Sequence, residues 1–337
     1  MSGVPPSRSA HLAMQIAAAV CISVWIARPL FAAPADAAAD YPKKPIRLLA
    51  PFVAGAGSDT TARTIAAKIS ERWGQQVVVD NRTGASGAIA VDITAQAIPD
   101  GYTLCVISAS ITVLSATNPR LPYELTRDLQ GLTQATSLFY VLTVHPSFPA
   151  KSVAELIAHA KTNPGKLNFA SSGVGSLQHF ANEMFAYMAG VKLTHVPYKG
   201  SSASIVGMLA GEIQMGMFTM FGVRPHYSAG RLRVLAISAG KRSPAMPELP
   251  TIAESGLPGF EIDQWYGFVT SAKAPAAIVN KLSMAMTDAL KAPEVVQRLG
   301  ADGSTPVGSM PGQFNAHIKA DIARWRKLVK DAGLALQ

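Results

Sequence analysis

The sequence has 337 residues, of which 49% are hydrophobic and 15% charged, and this composition excludes a disordered chain. Its net charge is +9, but no run of Lys and Arg exceeds two residues and no aromatic residues interleave with them, which argues against a nucleic-acid platform. A mildly positive surface that attracts small anions fits better. The length favours two lobes of about 150 residues each.

Residues 1–39 have the pattern of a secretory signal peptide. The apolar stretch Leu12–Ala27 has 16 residues, short of the roughly 20 that cross a bilayer, and A-x-A cleavage candidates follow at Ala33–Ala35 and Ala37–Ala39. We therefore predict a periplasmic protein. Cleavage removes two Arg and one Asp, so the mature net charge becomes +9 − 1 = +8.

Cysteine and histidine usage gives no sign of a metal or cofactor. Cys105 would be the only cysteine after cleavage, so no intrachain disulfide is expected, and its apolar neighbours favour a buried position. No Cys/His spacing resembles a zinc site. His195 and His226 stand apart from other ligand-type residues, which favours structural roles for both.

The stretch Ile46–Arg63 changes from strand to loop to helix. Ile46–Ala50 is an apolar run typical of a buried strand. Pro51, Gly55 and Gly57 then interrupt regular structure, and Ser58 or Asp59 can cap a helix with an apolar face. A glycine loop that leads into a helix N-terminus presents N–H groups to an anion, so this stretch predicts a site for an acidic ligand.

Strands and helices alternate along the rest of the chain, which indicates parallel sheets covered by helices. The predicted strands are Gln76–Asp80, Tyr102–Ala109, Leu138–Val144, Leu167–Ala170, Leu193–Val196, Glu212–Met217, Arg231–Ser238 and Trp265–Thr270. Helices are predicted from Ser86, from a capping box at Ser152 and Glu155, after Ser176, from Ser201, from Pro275 and Pro293, and from near Gly312. The irregular stretch Asn118–Asp128 is expected to be a connection.

A strand, a Ser/Gly loop and a helix start occur a second time, at Leu167–Ala170, Ser171–Ser176 and the helix that carries Phe180. Two such loops could hold a carboxylate from two sides. Each charge-assisted hydrogen bond contributes about 1.5 to 3 kcal/mol, whereas association costs about 4 to 15 kcal/mol. Several donors from both loops are therefore needed, which favours a closed cleft.

Parts of the sequence also resemble the motifs of two other functional classes. Gly55-Ala56-Gly57 followed by Asp80 resembles a dinucleotide fingerprint, but Thr60 replaces the third glycine. An exported serine hydrolase would use Ser172 or Ser176 with His179, although the loop is not G-x-S-x-G. The hydrolase remains the alternative to a binding protein.

Motifs spread over the whole mature chain resemble the Bug-type extracytoplasmic solute receptors of tripartite tricarboxylate transporters. They are YPKKPIR from Tyr41, PFVAGAGSD from Pro51, DNRTGASG from Asp80, PDGYTL from Pro99, KSVAEL from Lys151, PGKLNFASSGVGS from Pro164, HVPYKG from His195 and KRSPAMPELP from Lys241. The resemblance implies a type II periplasmic-binding-protein fold, with two α/β lobes of mixed, mainly parallel sheets around a ligand cleft. Residues 41–140 and 265–337 would form lobe 1, and residues 141–264 would form lobe 2.

The same resemblance implies a non-enzymatic receptor that binds a small mono- or dicarboxylate through main-chain amides and water. Its partners would be that ligand and membrane transporter subunits, with no nucleic acid, no metal and no cofactor, and we expect a monomer. The implied ligand-binding residues are Phe52, Gly55, Ala56, Ser58, Asp59, Ser108, Ser110, Ser172, Gly173, Gly175, Ser176, Phe218 and Thr219.

This chain departs from the family pattern at two places. Ala56 stands where the family loop PFPPGG has its second glycine, and Phe218-Thr219 stands where relatives often carry Asp-Asn. The second change predicts a more apolar wall and a ligand with an apolar or aromatic body.

Overall fold

The computed structural model describes Gly3 and residues 38–333 other than 245 and 302. The predicted signal peptide lies almost entirely outside the described residues. In the part of the chain that is described, no helix is both long enough and apolar enough to cross a membrane.

Helices and strands alternate as predicted from the hydrophobic pattern. The strands are β1 (Ile46–Ala50), β2 (Val77–Asn81), β3 (Thr103–Ser108), β4 (Leu129–Val144), β5 (Asn168–Ser171), β6 (Thr194–Pro197), β7 (Met215–Thr219), β8 (Arg233–Ile237), β9 (Asp263–Ser271) and β10 (Thr305–Pro306). The helices are α1 (Gly57–Trp73), α2 (Ala88–Ala95), α3 (Ala109–Thr117), α4 (Leu125–Asp128), α5 (Val153–Thr162), α6 (Leu177–Ala189), α7 (Ser201–Leu209), α8 (Met220–Ser228), α9 (Ala276–Leu290), α10 (Pro293–Ala301) and α11 (Pro311–Ala332).

The sheet order determines where the loops lie. The main strands follow the order β2-β1-β3-β9-β4-β7-β5-β6, and β8 and β10 also pair with β4. β1 is parallel to β2 and β3, and β5 is parallel to β6 and β7. Carboxyl ends of parallel neighbours meet at one edge, where ligands of open α/β sheets bind. The loops after β1 and β3 therefore share one such edge, and those after β5 and β7 share another.

The long strand β4 connects the two parallel parts of the sheet. Residues 129–139 of β4 pair with β9, whereas residues 140–144 pair with β7, both antiparallel. The chain passes from one part to the other along β4 and returns along β9. The division into lobes at residues 140 and 264 stays a prediction.

The C-terminal helix α11 packs against both parts of the sheet assembly. Phe314 and Trp325 are fully buried on its inner face. The Phe314 ring contacts Trp265 of β9 at 5.4 Å between centroids, and the Trp325 ring contacts Phe180 of α6 at 6.1 Å. Aromatic edge-to-face pairs of this kind add to the area buried by each ring. The helix thus fastens α6 to the crossover strand.

Four predictions about helices need correction. The helix expected from Ser86 begins at Ala88, because Ala85 and Ser86 have φ values of 46° and 53° in a short 3-10 turn. The helices α3, α4 and α8 were missed, and α4 lies within the stretch Asn118–Asp128 that was expected to be a connection. Isoleucine, threonine and valine in α3 lower its local helix propensity, and Pro225 lies inside α8. Tertiary packing overrides these local preferences.

Asp263 is the first residue of β9, the strand along which the chain returns to the first part of the sheet. Its Oδ1 accepts a 2.6 Å hydrogen bond from Ser137 Oγ of β4. Burial raises the pKa of Asp263 to about 6, and Asp321 and Glu261 add to the increase while the Ser137 bond and Arg324 oppose it. A carboxyl whose folded pKa exceeds its unfolded value binds protons better in the native state, so it lowers stability as pH rises.

We expect Asp263→Asn to raise the free energy of unfolding by about 3 kcal/mol at pH 7, since the pKa of Asp263 is raised from 3.8 to about 6 and one pKa unit corresponds to about 1.4 kcal/mol. The gain should disappear towards pH 4, below the folded pKa of about 6. Urea unfolding at several pH values measures both effects. Asp128→Asn is the opposite control, because an Arg127 hydrogen bond lowers the pKa of Asp128 to about 2. A wild-type pH slope in Asp263→Asn would contradict the prediction.

Candidate functional site

Helices begin directly after the carboxyl ends of several strands, and their first turns lie close together. A Cβ added to Gly87 would lie 3.1 Å from Pro51 Cβ and 2.9 Å from Ile111 Cδ1. The segment after β1, the turn before α2 and the start of α3 are therefore in contact. We call residues 51–58 the first loop and residues 171–176 the second loop.

The first loop is held by the carboxylate of Asp59. Asp59 Oδ2 accepts hydrogen bonds of 2.9 Å from Gly55 N–H and from Arg63 Nε, and Oδ1 accepts one of 2.9 Å from Asn81 Nδ2. Asn81 Nδ2 also donates to the Phe52 carbonyl. Burial would raise the pKa of Asp59, but the bonds from Arg63, Gly55 and Asn81 outweigh it and hold this pKa below its usual value. The carboxylate is an anchor for the loop, and Gly55 N–H is already used.

The start of α1 keeps open hydrogen-bond donors. Ala56 is the N-cap and supplies no side-chain cap, and Thr60 N–H donates to the Ala56 carbonyl. Within the described residues, the N–H groups of Gly57 and Ser58 have no acceptor. The Ser58 hydroxyl is 1% exposed at residue level and has no hydrogen-bond partner there either. A helix N-terminus with free donors favours an anion.

A row of polar side chains faces the same side of the sheet next to this helix start. Tyr266 of β9 lies opposite Ser108 of β3 and opposite Thr136 of β4, so the three side chains share one face. The Tyr266 ring also lies against Gly57, where an added Cβ would be 3.0 Å from its Cζ. The hydroxyls of Ser108 and Thr136 are buried and unpaired among the described residues. The unpaired hydroxyls of Ser108 and Thr136 therefore lie on the two strands next to Tyr266.

Hydrogen bonds within the second loop use its glycine amides. Ser176 caps α6 by accepting from His179 N–H at 3.2 Å, and its Oγ donates to the Gly173 carbonyl at 2.7 Å. Gly173 N–H donates to Ser171 Oγ, and Gly175 N–H donates to His179 Nδ1 at 3.3 Å. Gly173 and Gly175 have φ values of 136° and 78°, which side chains rarely adopt. In the described chain, the main-chain N–H groups of Ser172 and Val174 remain without an acceptor.

One hydrogen bond connects the helix after the second loop with the polar end of β3. Leu177 N–H at the start of α6 donates to Ser110 Oγ at 3.4 Å. Ser110 belongs to the first turn of α3, directly after Ser108 and β3. The start of α6 and the start of α3, from the two parts of the sheet assembly, thus meet at the strand ends.

The predicted apolar wall at Phe218 is corrected by the structure. Phe218 pairs with Val141, is 0% exposed, and packs against Gly216 and Met208 in the core. Its ring cannot line an open cleft because this strand residue faces the covering helices. Thr219 is half-buried at the N-cap of α8. Phe221, 56% exposed, is the aromatic residue that reaches solvent here.

Sequence reasoning selected the loops but missed Asn81, Thr136 and Tyr266. Asn81 lies in the DNRTGASG motif, so its place after a strand was a usable signal. Tyr266 and Thr136 come to the site only through strand pairing, and no local pattern marks them. Cavities of about 550 and 300 Å³ lie elsewhere, beside α4 and α11, and contain none of the predicted residues.

The geometry does not form a catalytic serine and histidine pair from the residues considered for a hydrolase. Ser176 Oγ bonds to the Gly173 carbonyl and to the main chain of His179, whose imidazole instead accepts from Gly175. Among the residues that the structure describes, no group of His, Cys, Asp and Glu could hold a metal ion. In the described part of the chain, neither the Ser172 nor the Ser176 hydroxyl is hydrogen-bonded to the His179 ring.

Comparison with known proteins supports the interpretation of this chain as a receptor. The family model described as "Tripartite tricarboxylate transporter family receptor" matches residues 61–334. Protein BugT of Bordetella pertussis is 35% identical over 318 residues, which covers 94% of this chain and 97% of BugT.

Two solved structures with bound ligands are also similar. Rpa4515 of R. palustris with adipate has a TM-score of 0.81 and 35% identity, covering 88% of this chain and 99% of that one. MatC of Rhodopseudomonas palustris with bound malate has a TM-score of 0.78 and 28% identity, covering 86% and 100%. The predicted fold class is confirmed, and the hydrolase alternative is set aside. This chain belongs to the tripartite tricarboxylate transporter receptor family, as a solute-binding receptor of the Bug type.

Proposed function

We propose that this receptor acts in the periplasm as a monomer, captures a small carboxylate between two lobes and delivers it to membrane transporter subunits. In this proposal, one lobe consists of residues 41–140 and 265–337, and the other consists of residues 141–264. The adipate and malate bound by its relatives favour a dicarboxylate or a related acid as the ligand.

The observation that carries the proposal is the pair of orphaned hydroxyls on Ser58 and Ser108. Both oxygens are buried, and neither has a hydrogen-bond partner among the described residues. A buried polar group without a partner costs about 1 to 3 kcal/mol. A ligand carboxylate, or a water molecule that it holds, would supply the missing partner and recover that free energy on binding.

The charges of the loops support capture by neutral donors. Neither loop contains Lys or Arg, and the carboxylate of Asp59 is saturated by protein donors. The donors without a partner in the described residues are therefore the N–H groups at the start of α1, the N–H groups of Ser172 and Val174, and the hydroxyls of Ser58 and Ser108. Oriented amide dipoles at helix starts stabilise an anion without a formal positive charge.

A thermal-shift screen with mono- and dicarboxylates, including adipate and malate, tests the proposal. A bound ligand raises stability by RT ln(1 + [L]/Kd), about 2.7 kcal/mol at a hundredfold excess over Kd. We expect at least one acid to raise the melting temperature in a concentration-dependent way. Uniform absence of stabilisation by the whole panel would contradict carboxylate capture.

Ser58→Ala and Ser108→Ala locate the site. Each removes an unpaired buried hydroxyl, so the ligand-free protein should keep or slightly increase its stability. The Kd of the acid found in the screen should rise about tenfold or more in each variant, as measured by isothermal titration calorimetry. The matched control is Ser283→Ala in α9, whose hydroxyl is also buried and unpaired. Unchanged Kd values in both site variants would place the ligand elsewhere.

A further inference from the structure

Two histidine rings are stacked beneath the second loop. The centroids of His179 in α6 and His195 in β6 are 3.9 Å apart with an interplanar angle of 14°. The ring of Phe169 in β5 also stacks with His195, at 4.9 Å between centroids, and its centroid lies 6.2 Å from that of His179. The stack joins helix α6 to strands β5 and β6 next to the second loop.

Each imidazole is hydrogen-bonded to the loop above it. Gly175 N–H donates to His179 Nδ1, so this nitrogen carries no proton. His195 Nε2 and Ser171 Oγ share a hydrogen bond of 2.7 Å. Ser171 Oγ in turn accepts from Gly173 N–H and donates to the Gly173 carbonyl. Both glycines of the loop are thus tied to one imidazole each, His179 directly and His195 through Ser171.

Both rings are neutral in this geometry, since His179 Nδ1 accepts a hydrogen bond and His195 is half-buried and stacked against it. Burial and the adjacent His179 lower the pKa of His195 to about 4, against a smaller opposing effect of Glu183. Glu183 Oε1 lies 3.6 Å from His179 Nε2, on the same helix. β5 and β6 add no ionisable side chain apart from His195. Two charged rings at this distance would repel each other.

We propose that His179 and His195 are positioning residues for ligand capture, which hold the second loop through a neutral stacked pair so that the Ser172 and Val174 amides face the ligand. This inference rests on the proposed function for its binding readout. The conformation of the loop can be measured without any ligand.

Conservative and disruptive variants separate positioning from packing. The side-chain oxygen of asparagine can replace Nδ1 as an acceptor, and glutamine reaches the position of Nε2, so His179→Asn and His195→Gln keep the bonds to the loop. His179→Leu and His195→Leu keep the apolar volume but lose those bonds. We expect the leucine variants to weaken the Kd of the acid from the screen at least tenfold. The amide variants should stay within about threefold of wild type.

The pH dependence distinguishes positioning from a structural role. In the ligand-free wild type, the Gly173 and Gly175 amide resonances should shift and broaden between pH 7 and pH 4.5, as protonation begins to disrupt the stack. They should stay unchanged in the double variant His179→Asn/His195→Gln. The Kd of the wild type should rise at least threefold more over this range than that of the double variant, a comparison that cancels protonation of the ligand itself.

His159→Leu is the control for the loss of a packed histidine. His159 lies in α5, and its ring centroid is 4.9 Å from that of Phe148. It should leave the loop resonances and the Kd unchanged. Wild-type affinity in both leucine variants, or loop resonances that ignore pH in the wild type, would overturn the inference. If no acid binds the wild type, the proposed function fails, while the amide resonances still decide whether the stack holds the loop.

Discussion

Asp59→Ala is expected to lower the free energy of unfolding by about 3 kcal/mol and to abolish stabilisation by the ligand. The Asp59 side chain is 3% exposed and accepts from Gly55 N–H, Asn81 Nδ2 and Arg63 Nε. Removing it breaks the part-buried hydrogen bonds that Gly55 N–H and Asn81 Nδ2 donate to a charged acceptor, at about 1.5 to 3 kcal/mol each. The Arg63 side chain is 47% exposed, so its ion pair adds little. Urea unfolding and calorimetric titration measure the two effects.

The matched control is Asp80→Ala, which removes the same charge from a more accessible carboxylate. Asp80 is 28% exposed and bonds to Arg47 and Arg82 at the surface, so we expect a loss below about 1 kcal/mol. Because the pKa of Asp59 is lowered, the difference between wild type and Asp59→Ala should be complete at neutral pH. It should shrink as the pH falls through the folded pKa. Equal losses in Asp59→Ala and Asp80→Ala would refute an anchoring role.

Gly57→Ala is expected to lower the free energy of unfolding by about 2 kcal/mol and to weaken ligand binding strongly. The new Cβ would lie 3.0 Å from Tyr266 Cζ and still closer to the hydroxyl oxygen, so the ring or the start of α1 must move. Overpacking of this kind costs about 1 to 3 kcal/mol. Displacing α1 also moves the open N–H groups of Gly57 and Ser58. Chemical unfolding gives the stability change and thermal shift reports the lost ligand response.

A double-mutant cycle tests the cause. Tyr266→Phe removes the atom nearest to the new Cβ, so adding it to Gly57→Ala should recover at least about 1 kcal/mol beyond additivity. Gly312→Ala provides the control at another helix start, because a Cβ there meets no atom within 4 Å. Strict additivity of Gly57→Ala and Tyr266→Phe would show that the two groups do not compete for space.

Local sequence patterns predict a feature well when it depends only on residues that are close in the chain. Half of the capping box predicted at Ser152 and Glu155 is confirmed: Ser152 Oγ accepts from Glu155 N–H, whereas Glu155 accepts from Lys151 N–H, one residue before the N-cap. The apolar run before Pro51 is strand β1, but the cap predicted at Ser58 or Asp59 is wrong, because Ala56 is the N-cap and both residues lie in the first turn of α1. Such features depend on backbone conformation within a few residues, which composition and spacing report directly.

The sequence alone predicts the alternation of strands and helices, the two glycine loops that precede helices, and the receptor family. It does not predict which polar groups stay open, because that depends on tertiary contacts. Asp59 and the ring of His179 occupy the amides of Gly55 and Gly175, and strand register brings Tyr266 beside Gly57. The physical reason is that a donor's availability depends on partners that sheet pairing and helix packing bring from distant parts of the chain.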